Sequence, residues 1–346
     1  MIKILIFINK HLLITVFSYR LNIVRANAYL HFLALTSVQA AILLVILLAS
    51  SINSSFADST TNLVIYDKNS HYQLAFLKHL QKQLKNHGVT INSLTIDHAT
   101  ATEIDAKKPS LIINLDKAFA TSLVDYNIKT PVFHTLLTIA DLTQLLPCAP
   151  LCETKKRKNQ FFILDQPPSR QLALIKLIKP SAIEIGLIYT RQTATLFAAI
   201  QKFGDQTNLK INGFLTQPDS LGFMLNDIAK SSDIILALAD TSIYSASTLP
   251  QILLTSYRHR TPVIGFSKGF ITAGAVAGVT SNLEQLAQHL AEKILEKRAN
   301  KPIMSNGIVF PKYFNILSNR RVAKSLNLHF PDDRVLTATI KSDELP

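Results

Sequence analysis

The segment Asp233-Ile234-Ile235-Leu236-Ala237-Leu238-Ala239-Asp240 is the stretch of this sequence that decides its fold. Between its two aspartates the run is entirely apolar, which is typical of a strand buried on both faces of a parallel sheet. Residues 221–230 before it and 249–258 after it carry apolar side chains at helical spacing, and residues 262–266 form another apolar run. This alternation of helix and strand predicts a parallel sheet with helices on both faces.

The same alternation extends over most of the chain and is broken once. Further strands are predicted at residues 63–66, 89–94, 110–115, 131–133, 185–189 and 210–214. Further helices are predicted at residues 72–86, 117–126, 171–178, 193–203 and 283–295. Residues 147–168, with several prolines and a basic run, are interpreted as a surface loop that crosses into a second lobe. The expected fold class is α/β, with two doubly wound parallel-sheet lobes and a cleft between them.

This organisation predicts four parts. Residues 1–57 precede the folded protein, 58–160 form the first lobe and 161–305 the second, and 306–346 return to the first lobe. In doubly wound sheets, ligands bind beyond the carboxyl ends of the strands. The residues that follow each strand are therefore the candidates for function.

Composition excludes several classes of protein. The chain has 346 residues, of which 48% are hydrophobic and 17% charged, which is too apolar for a disordered protein. The formal net charge is +13, but the basic residues are scattered along the chain apart from the short run 155–158. A nucleic-acid-binding protein gathers them on one face, so we expect no nucleic-acid partner.

The amino-terminal segment predicts export. Residues 32–49 carry no charge, Arg20 and Arg25 precede them, and Ser55-Phe56-Ala57 follows with small residues at the positions that a signal peptidase reads. Together these features predict a signal peptide over residues 1–57, cleavage after Ala57 and a periplasmic location. The competing interpretation is an uncleaved inner-membrane anchor through residues 32–49.

The two cysteines, Cys148 and Cys152, are separated by three residues, of which Pro150 is the middle one. In an oxidising compartment they are expected to form a disulfide that closes a small loop, with two free thiols as the alternative. A metal site needs more ligands than these, and His71, His79 and His87 have the spacing of a solvated helix face. We expect no metal and no cofactor.

A resemblance to a known family covers residues 171–331. It is carried by Ile185-Gly186-Leu187-Ile188-Tyr189, Ala239-Asp240, Arg260-Thr261-Pro262-Val263-Ile264-Gly265-Phe266-Ser267 and Asn319-x-x-Val322-Ala323-x-x-Leu326-Asn327-Leu328-x-Phe330-Pro331. In order and spacing the sequence resembles the ABC transporter substrate-binding proteins, which include proteins for tryptophan and related ligands. The resemblance implies a type I periplasmic binding protein-like fold, hinge motion, a small amino-acid-like ligand, an inner-membrane ABC permease as partner, and no enzymatic activity.

The ligand-binding candidates lie at predicted strand ends. Asp240 could accept a hydrogen bond from a ligand ammonium group or cap a helix, and Tyr189 could stack on a ligand or pack at the sheet edge. The first lobe has Asn114-Leu115-Asp116 where similar proteins usually have Gly-Thr, and this difference favours an alternative function, an exported sensory or interaction module that signals to a membrane partner. The predicted ligand-binding residues are Asp240, Thr241, Tyr189, Thr190, Ser267, Phe266, Asn114 and Asp116.

The segment Gly265-Phe266-Ser267-Lys268-Gly269 formally matches the G-x-S-x-G motif of serine hydrolases. Such an enzyme needs an acid and a histidine as partners of the serine. His289 and His329 follow Ser267, but Glu284 precedes His289 by only five residues within one predicted helix. A hydrolase is therefore a distant alternative.

Overall fold

The structure is a computed structural model, and it describes residues 61–126, 128–145, 159–217, 220–299 and 307–344. Residues 60–346 form one compact unit. The predicted signal peptide, its alternative as an anchor, and the predicted Cys148–Cys152 bridge all lie outside the described residues. No helix within these ranges is long and apolar enough to cross a membrane.

The strands form two six-stranded sheets, one for each lobe. They are β1 Asn62–Tyr66, β2 Ile91–Thr95, β3 Leu111–Asn114, β4 Val132–Leu137, β5 Asn159–Ile163, β6 Glu184–Tyr189, β7 Lys210–Leu215, β8 Ile234–Leu236, β9 Val263–Ile264, β10 Ala277–Thr280, β11 Ile308–Val309 and β12 Asn315–Ser318. The first sheet has the order β11-β5-β4-β3-β1-β2 and the second β12-β10-β9-β8-β6-β7. All neighbours are parallel except β10 and β12, which pair antiparallel.

Twelve α-helices cover the two sheets in the described part of the chain. They are α1 His71–Lys85, α2 Ala101–Ala106, α3 Phe119–Asp125, α4 Ile139–Leu145, α5 Pro168–Ile178, α6 Ala194–Gln206, α7 Leu221–Ser231, α8 Leu249–Arg258, α9 Lys268–Ala273, α10 Leu283–Arg298, α11 Arg320–Ser325 and α12 Asp333–Asp343. The two parallel-sheet lobes predicted from the sequence are thus confirmed.

The apolar cores explain why these elements pack as they do. In the first lobe, side chains of β1, β3 and β4 pack against α1. In the second lobe, β8 and β9 pack against α7, α8 and α9. A third cluster contains Leu142 of the first lobe and Leu196 of the second, so apolar packing is continuous between the lobes. The unit from residue 60 onward therefore contains both sheets and their cores.

Helix α10 lies on the first lobe, although the sequence analysis placed residues 283–298 in the second. It packs against α1, and Leu290 and Ile294 belong to the first-lobe core. The carboxyl-terminal segment also differs from expectation. Only β11 joins the first sheet, whereas β12 joins the second and α12 packs against it. An amphipathic helix shows one apolar face but not which sheet covers it.

The interpretation of residues 147–168 as a surface loop is wrong for residues 159–163. They form β5, a fully buried strand between β4 and β11. The apolar run Phe161–Leu164 was a strand signal, but the neighbouring basic residues and prolines obscured it. The crossing into the second lobe is consequently shorter than predicted and begins after Leu164.

Within the described ranges, three crossings join the lobes, at residues 164–167, 281–282 and 310–314, and side-chain hydrogen bonds tie them to one another. In the first crossing, the Gln166 side chain donates to Ser281 Oγ in the second at 2.9 Å. Ser281 Oγ in turn donates to the Tyr313 carbonyl in the third at 2.6 Å. Arg170 donates to Gln166 Oε1 at 3.0 Å and to the Pro311 carbonyl at 2.5 Å. These hydrogen bonds join the three crossings into one connected unit.

Candidate functional site

The carboxyl ends of the strands in the two lobes meet beside α4. This helix begins just after β4, and it packs against the 3₁₀ turn Arg191–Thr193, which follows β6. Leu136 lies in the left-handed region with φ 62°, at the register shift between β4 and β5. This bulge changes the direction of the chain as it enters α4. The candidate cleft therefore lies where parallel-sheet proteins bind their ligands.

Asp240 joins two strand ends of the second lobe. It is 4% exposed and lies four residues after β8. Its Oδ2 accepts a 2.6 Å hydrogen bond from the Thr190 hydroxyl, and its Oδ1 accepts from the amide and hydroxyl of Ser242 at 3.0 and 2.6 Å. A carboxylate offers about four acceptor directions. Asp240 thus has capacity for about one further donor beside these three.

The other strand-end residues near Asp240 have different surroundings. Thr190 is buried, and its amide donates to Thr193 Oγ1 at 3.0 Å. Thr241 is exposed. The Tyr189 ring stacks on Phe197 of α6, with ring centroids 4.2 Å apart and an interplanar angle of 6°. Tyr189 therefore packs against α6, whereas the two interpretations from the sequence were ligand contact and packing at the sheet edge.

Phe266 belongs to a group of three aromatic rings. Its ring makes edge contacts with Tyr244 and Phe270, at centroid distances of 5.8 and 5.3 Å. Ser267 caps α9, and its Oγ accepts from the Phe270 amide at 3.2 Å. Within the described ranges no hydrogen bond joins Ser267 to a histidine, whereas His289 Nδ1 accepts from the Lys312 amide. The arrangement that a serine hydrolase requires is not formed by these residues.

The Tyr244 hydroxyl is the polar group of this region that has no hydrogen-bond partner among the described residues. It is buried, and burial raises the pKa of its phenol. The nearby charge of Asp240 raises this pKa further, by a smaller amount. Most buried polar groups in proteins are hydrogen-bonded, so an unpartnered one needs an explanation. A ligand group that accepts a hydrogen bond would provide one.

The first-lobe candidates form a separate network. Asn114 is 1% exposed, and its amide nitrogen donates to the Asp116 carbonyl at 2.8 Å. The Asp116 carboxylate accepts from the Phe119 amide at 2.8 Å and from the Gln73 side chain at 3.0 Å. These contacts tie the loop after β3 to α1 and α3. Among the described residues, no hydrogen bond joins Asn114 or Asp116 to Asp240.

Asp165 is a buried residue at the cleft that the sequence analysis missed. It is 5% exposed, and its Oδ2 accepts from the Ile139 amide at the start of α4 at 2.7 Å. Burial raises the pKa of its carboxyl to about 7. Two backbone hydrogen bonds act in the opposite direction, and the charges of Asp141 and Asp240 raise the pKa by smaller amounts. Its position directly after the apolar run of β5 was the signal that could have identified it.

Metal binding has no support in the part of the chain that the structure covers. No group of three His, Cys, Asp or Glu side chains there has the arrangement of a metal site. The carboxylates of Asp141, Asp165 and Asp240 instead accept hydrogen bonds from nearby protein groups.

Solved structures with the same fold include several substrate-binding proteins. A ligand-free, open structure of a substrate-binding protein with adhesive properties from Clostridium difficile has a TM-score of 0.60 at 16% identity, over 79% of this chain and 97% of that one. The ABC domain from Streptococcus pneumoniae in complex with L-Trp has a TM-score of 0.54 at 15% identity, over 80% and 98%. A conserved domain protein from Vibrio cholerae has a TM-score of 0.54 at 18% identity, over 81% and 99%. No curated protein sequence matches the chain.

At these identities the structural likeness shows the fold alone. The family is shown by sequence, because the model of the ABC transporter substrate-binding proteins matches residues 78–341. That match extends through both lobes, including the first lobe where the resemblance seen in the sequence was weak. This chain belongs to the family of ABC transporter substrate-binding proteins.

Proposed function

We propose that this protein captures a small, amino-acid-like solute between its lobes in the periplasm and delivers it to an inner-membrane ABC importer. The observation that carries the proposal is that the buried Tyr244 hydroxyl, which has no hydrogen-bond partner among the described residues, lies near the carboxylate of Asp240, which can accept about one further donor. These groups suit a molecule that has both a donor and an acceptor. The aromatic ring of Phe266 lies beside them.

Two further facts support an amino-acid-like ligand. The family binds substrates for transport, and a protein of the same fold was solved with L-Trp bound. An ammonium group could donate to Asp240, while the ligand's carboxylate or another acceptor takes the Tyr244 hydroxyl. Charge-assisted hydrogen bonds in a water-poor site are strong, so recognition should depend on Asp240.

The first experiment is a thermal-denaturation screen against the amino acids and other small solutes. A ligand that binds only the folded protein raises the melting temperature, by an amount that grows with its concentration over its Kd. The best ligand is then titrated calorimetrically into wild type and Asp240→Asn. We expect a loss of affinity on the order of 2–5 kcal/mol, because the ligand charge would be left without its partner.

Asp332→Asn is the matched control for this experiment. Asp332 also accepts backbone hydrogen bonds, from the Arg334 and Val335 amides at 2.8 and 3.0 Å, but it lies at the start of α12 and not at the strand ends. This variant should bind the ligand as wild type does. Equal affinity of wild type and Asp240→Asn would show that Asp240 serves only the internal hydrogen bonds and would reject its role in binding.

A second candidate function is an exported sensory or interaction module that signals to a membrane partner. It is favoured by the engagement of Asn114 and Asp116 within their own lobe and by the apolar cluster that contains Leu142 and Leu196 of opposite lobes. Neighbouring genes for a permease and an ATPase would support transport, whereas a neighbouring sensor kinase or cyclase would support signalling.

A further inference from the structure

Two neighbouring helices of the second lobe expose apolar side chains to solvent. Phe223 on α7 is 86% exposed, and Leu254 and Tyr257 on α8 are 51% and 49% exposed. Lys230 on α7 and Arg258 on α8 are exposed beside them. We call these five residues the α7–α8 patch. Apolar side chains grouped in this way on a soluble surface are typical of an interaction site.

The two helices lie side by side, so their exposed faces form one surface. A methyl group built at Gly222 would lie 3.3 Å from Gln251 Nε2, and Asn226 Oδ1 lies 3.2 Å from His259 Nε2. Phe223 and Lys230 are seven residues apart and therefore share one face of α7. Leu254 and Arg258 are four apart and share one face of α8.

An apolar groove of about 480 Å³ continues the patch on the other side of α8. It lies between α8, the end of α9, and α11. Residues that line it include Leu249, Pro250, Leu253, Leu254, Tyr257 and Val322. The apolar surface is therefore wider than the three exposed side chains, and it lies on the helices that cover the sheet.

The surroundings of the patch are positively charged. Residues 241–282, which include α8 and α9, contain no Asp or Glu but do contain Arg258, Arg260 and Lys268. Residues 319–331, which include α11, also contain no acid and carry Arg320, Arg321 and Lys324, of which Arg320 is paired with Asp333 at 2.9 Å. Helix α7 contributes Asp227 together with Lys230. The surface thus combines protruding apolar groups with excess positive charge.

We propose that the α7–α8 patch is a docking surface for an anionic lipid membrane. Basic side chains are attracted to anionic headgroups, and apolar side chains next to them can enter the boundary between headgroups and acyl chains. Phenylalanine and tyrosine suit this interfacial layer, since they present an apolar ring to it. Such docking would hold the second lobe at the membrane surface.

The chain contains no tryptophan, so one substitution makes a specific probe of the patch. The experiment uses the chain from Asp58 onward, which comprises the compact unit with both sheets. Phe223→Trp is mixed with vesicles of phosphatidylglycerol or of phosphatidylcholine. Tryptophan fluorescence should shift to shorter wavelength with phosphatidylglycerol, and the shift should disappear at high salt. Tyr72→Trp, on α1 of the first lobe and 49% exposed, is the matched control and should not shift.

Vesicle sedimentation supplies the second readout. The double variant Leu254→Ser, Tyr257→Ser and the single variant Arg258→Glu should each lose at least tenfold in apparent affinity for phosphatidylglycerol vesicles. Leu74→Ser, at a 37% exposed position of α1, should bind as wild type. Circular dichroism checks that each variant is folded.

Three outcomes would overturn the proposal. The first is no binding to either vesicle, which would leave a protein partner as the reason for the patch. The second is equal binding to both lipids, which would remove the role of charge. The third is undiminished binding by the folded patch variants, which would place the contact on another surface.

Discussion

The guanidinium of Arg170, in α5 just after the first crossing, lies 2.5 Å from a carboxylate oxygen of Glu344, which follows α12. The two residues are 174 positions apart in sequence. The same guanidinium donates to the carbonyls of the third crossing and lies 4.2 Å from the centre of the Phe314 ring. Arg170 therefore links the first and third crossings to the end of α12.

We predict that Arg170→Met lowers the free energy of unfolding by about 3 kcal/mol, because it removes one side of a buried, hydrogen-bonded charge network. Urea denaturation measures the change. Lys210→Met is the control, since the Lys210–Glu184 pair is mostly exposed and its loss should cost less than about 1 kcal/mol. A similar effect of both substitutions would show that the Arg170 contacts contribute little to stability.

Asp165 predicts a pH dependence of stability. Its folded pKa is about 7, whereas an aspartate in the unfolded chain titrates near about 3.9. Between these values the folded state binds more protons, so stability should fall as pH rises from about 4 to about 7 and then level off. Asp165→Asn removes this dependence, and at pH 8 it should be more stable than wild type, by on the order of 3 kcal/mol. Urea unfolding at pH 5 and pH 8 measures it.

The effect of His289 on the pH dependence of stability is opposite to that of Asp165, so the two effects must be measured separately. Burial lowers the pKa of its imidazole to about 4, so the unfolded state binds more protons between about 4 and 6.5 and stability rises with pH there. His289→Gln should remove this rise and expose the fall that Asp165 causes. If the Asp165→Asn profile has the same shape as wild type, the carboxyl is already ionised at pH 5.

Tyr244→Phe should stabilise the ligand-free protein by about 1 kcal/mol, because it removes a buried hydroxyl that has no hydrogen-bond partner among the described residues. Tyr313→Phe is the matched control. Tyr313 donates a 2.5 Å hydrogen bond to Glu292, so its loss should destabilise the protein. Thermal denaturation compares the two, and a destabilised Tyr244→Phe would contradict the assignment. The ligand found by screening should stabilise Tyr244→Phe less than wild type.

The amino-terminal prediction is tested by intact mass. Cleavage after Ala57 leaves Asp58 as the first residue in protein from a periplasmic fraction. A full-length species found only in membranes would favour the anchor through residues 32–49.

The same periplasmic protein, denatured without reductant, should contain no free thiol if Cys148 and Cys152 are bridged.

The sequence predicted the fold well because parallel strands buried on both faces leave long apolar runs. Residues 233–240 were such a run, and the helices around it kept their helical spacing. The path of the chain between lobes was harder to predict. Both β5 and α10 were placed in the wrong surroundings, since a buried strand or an amphipathic helix carries no mark of the sheet that it joins.

The candidate site was predicted less completely. The positions of the predicted strand ends made Asp240 and Thr190 candidates. The hydrogen bond between these two residues could not be predicted, because it depends on β6 and β8 being neighbours in the sheet. Tyr189 was expected as a candidate for ligand contact, and its stacking on Phe197 required the position of α6. Asp165 was missed because β5 itself was missed. Strand order and side-chain direction, which periodicity does not contain, account for these differences.

The placement of α10 and β11 on the first lobe has a consequence for how the chain matures. A lobe that begins at residue 62 acquires its last helix and its edge strand only when residue 309 has been synthesised. Amino-terminal domains ordinarily fold first during synthesis, but here the first lobe has to wait for almost the whole polypeptide. A nascent chain whose first lobe is incomplete for so long stays unfolded. An unfolded chain can pass through a translocation channel, which suits the proposed export and folding in the periplasm.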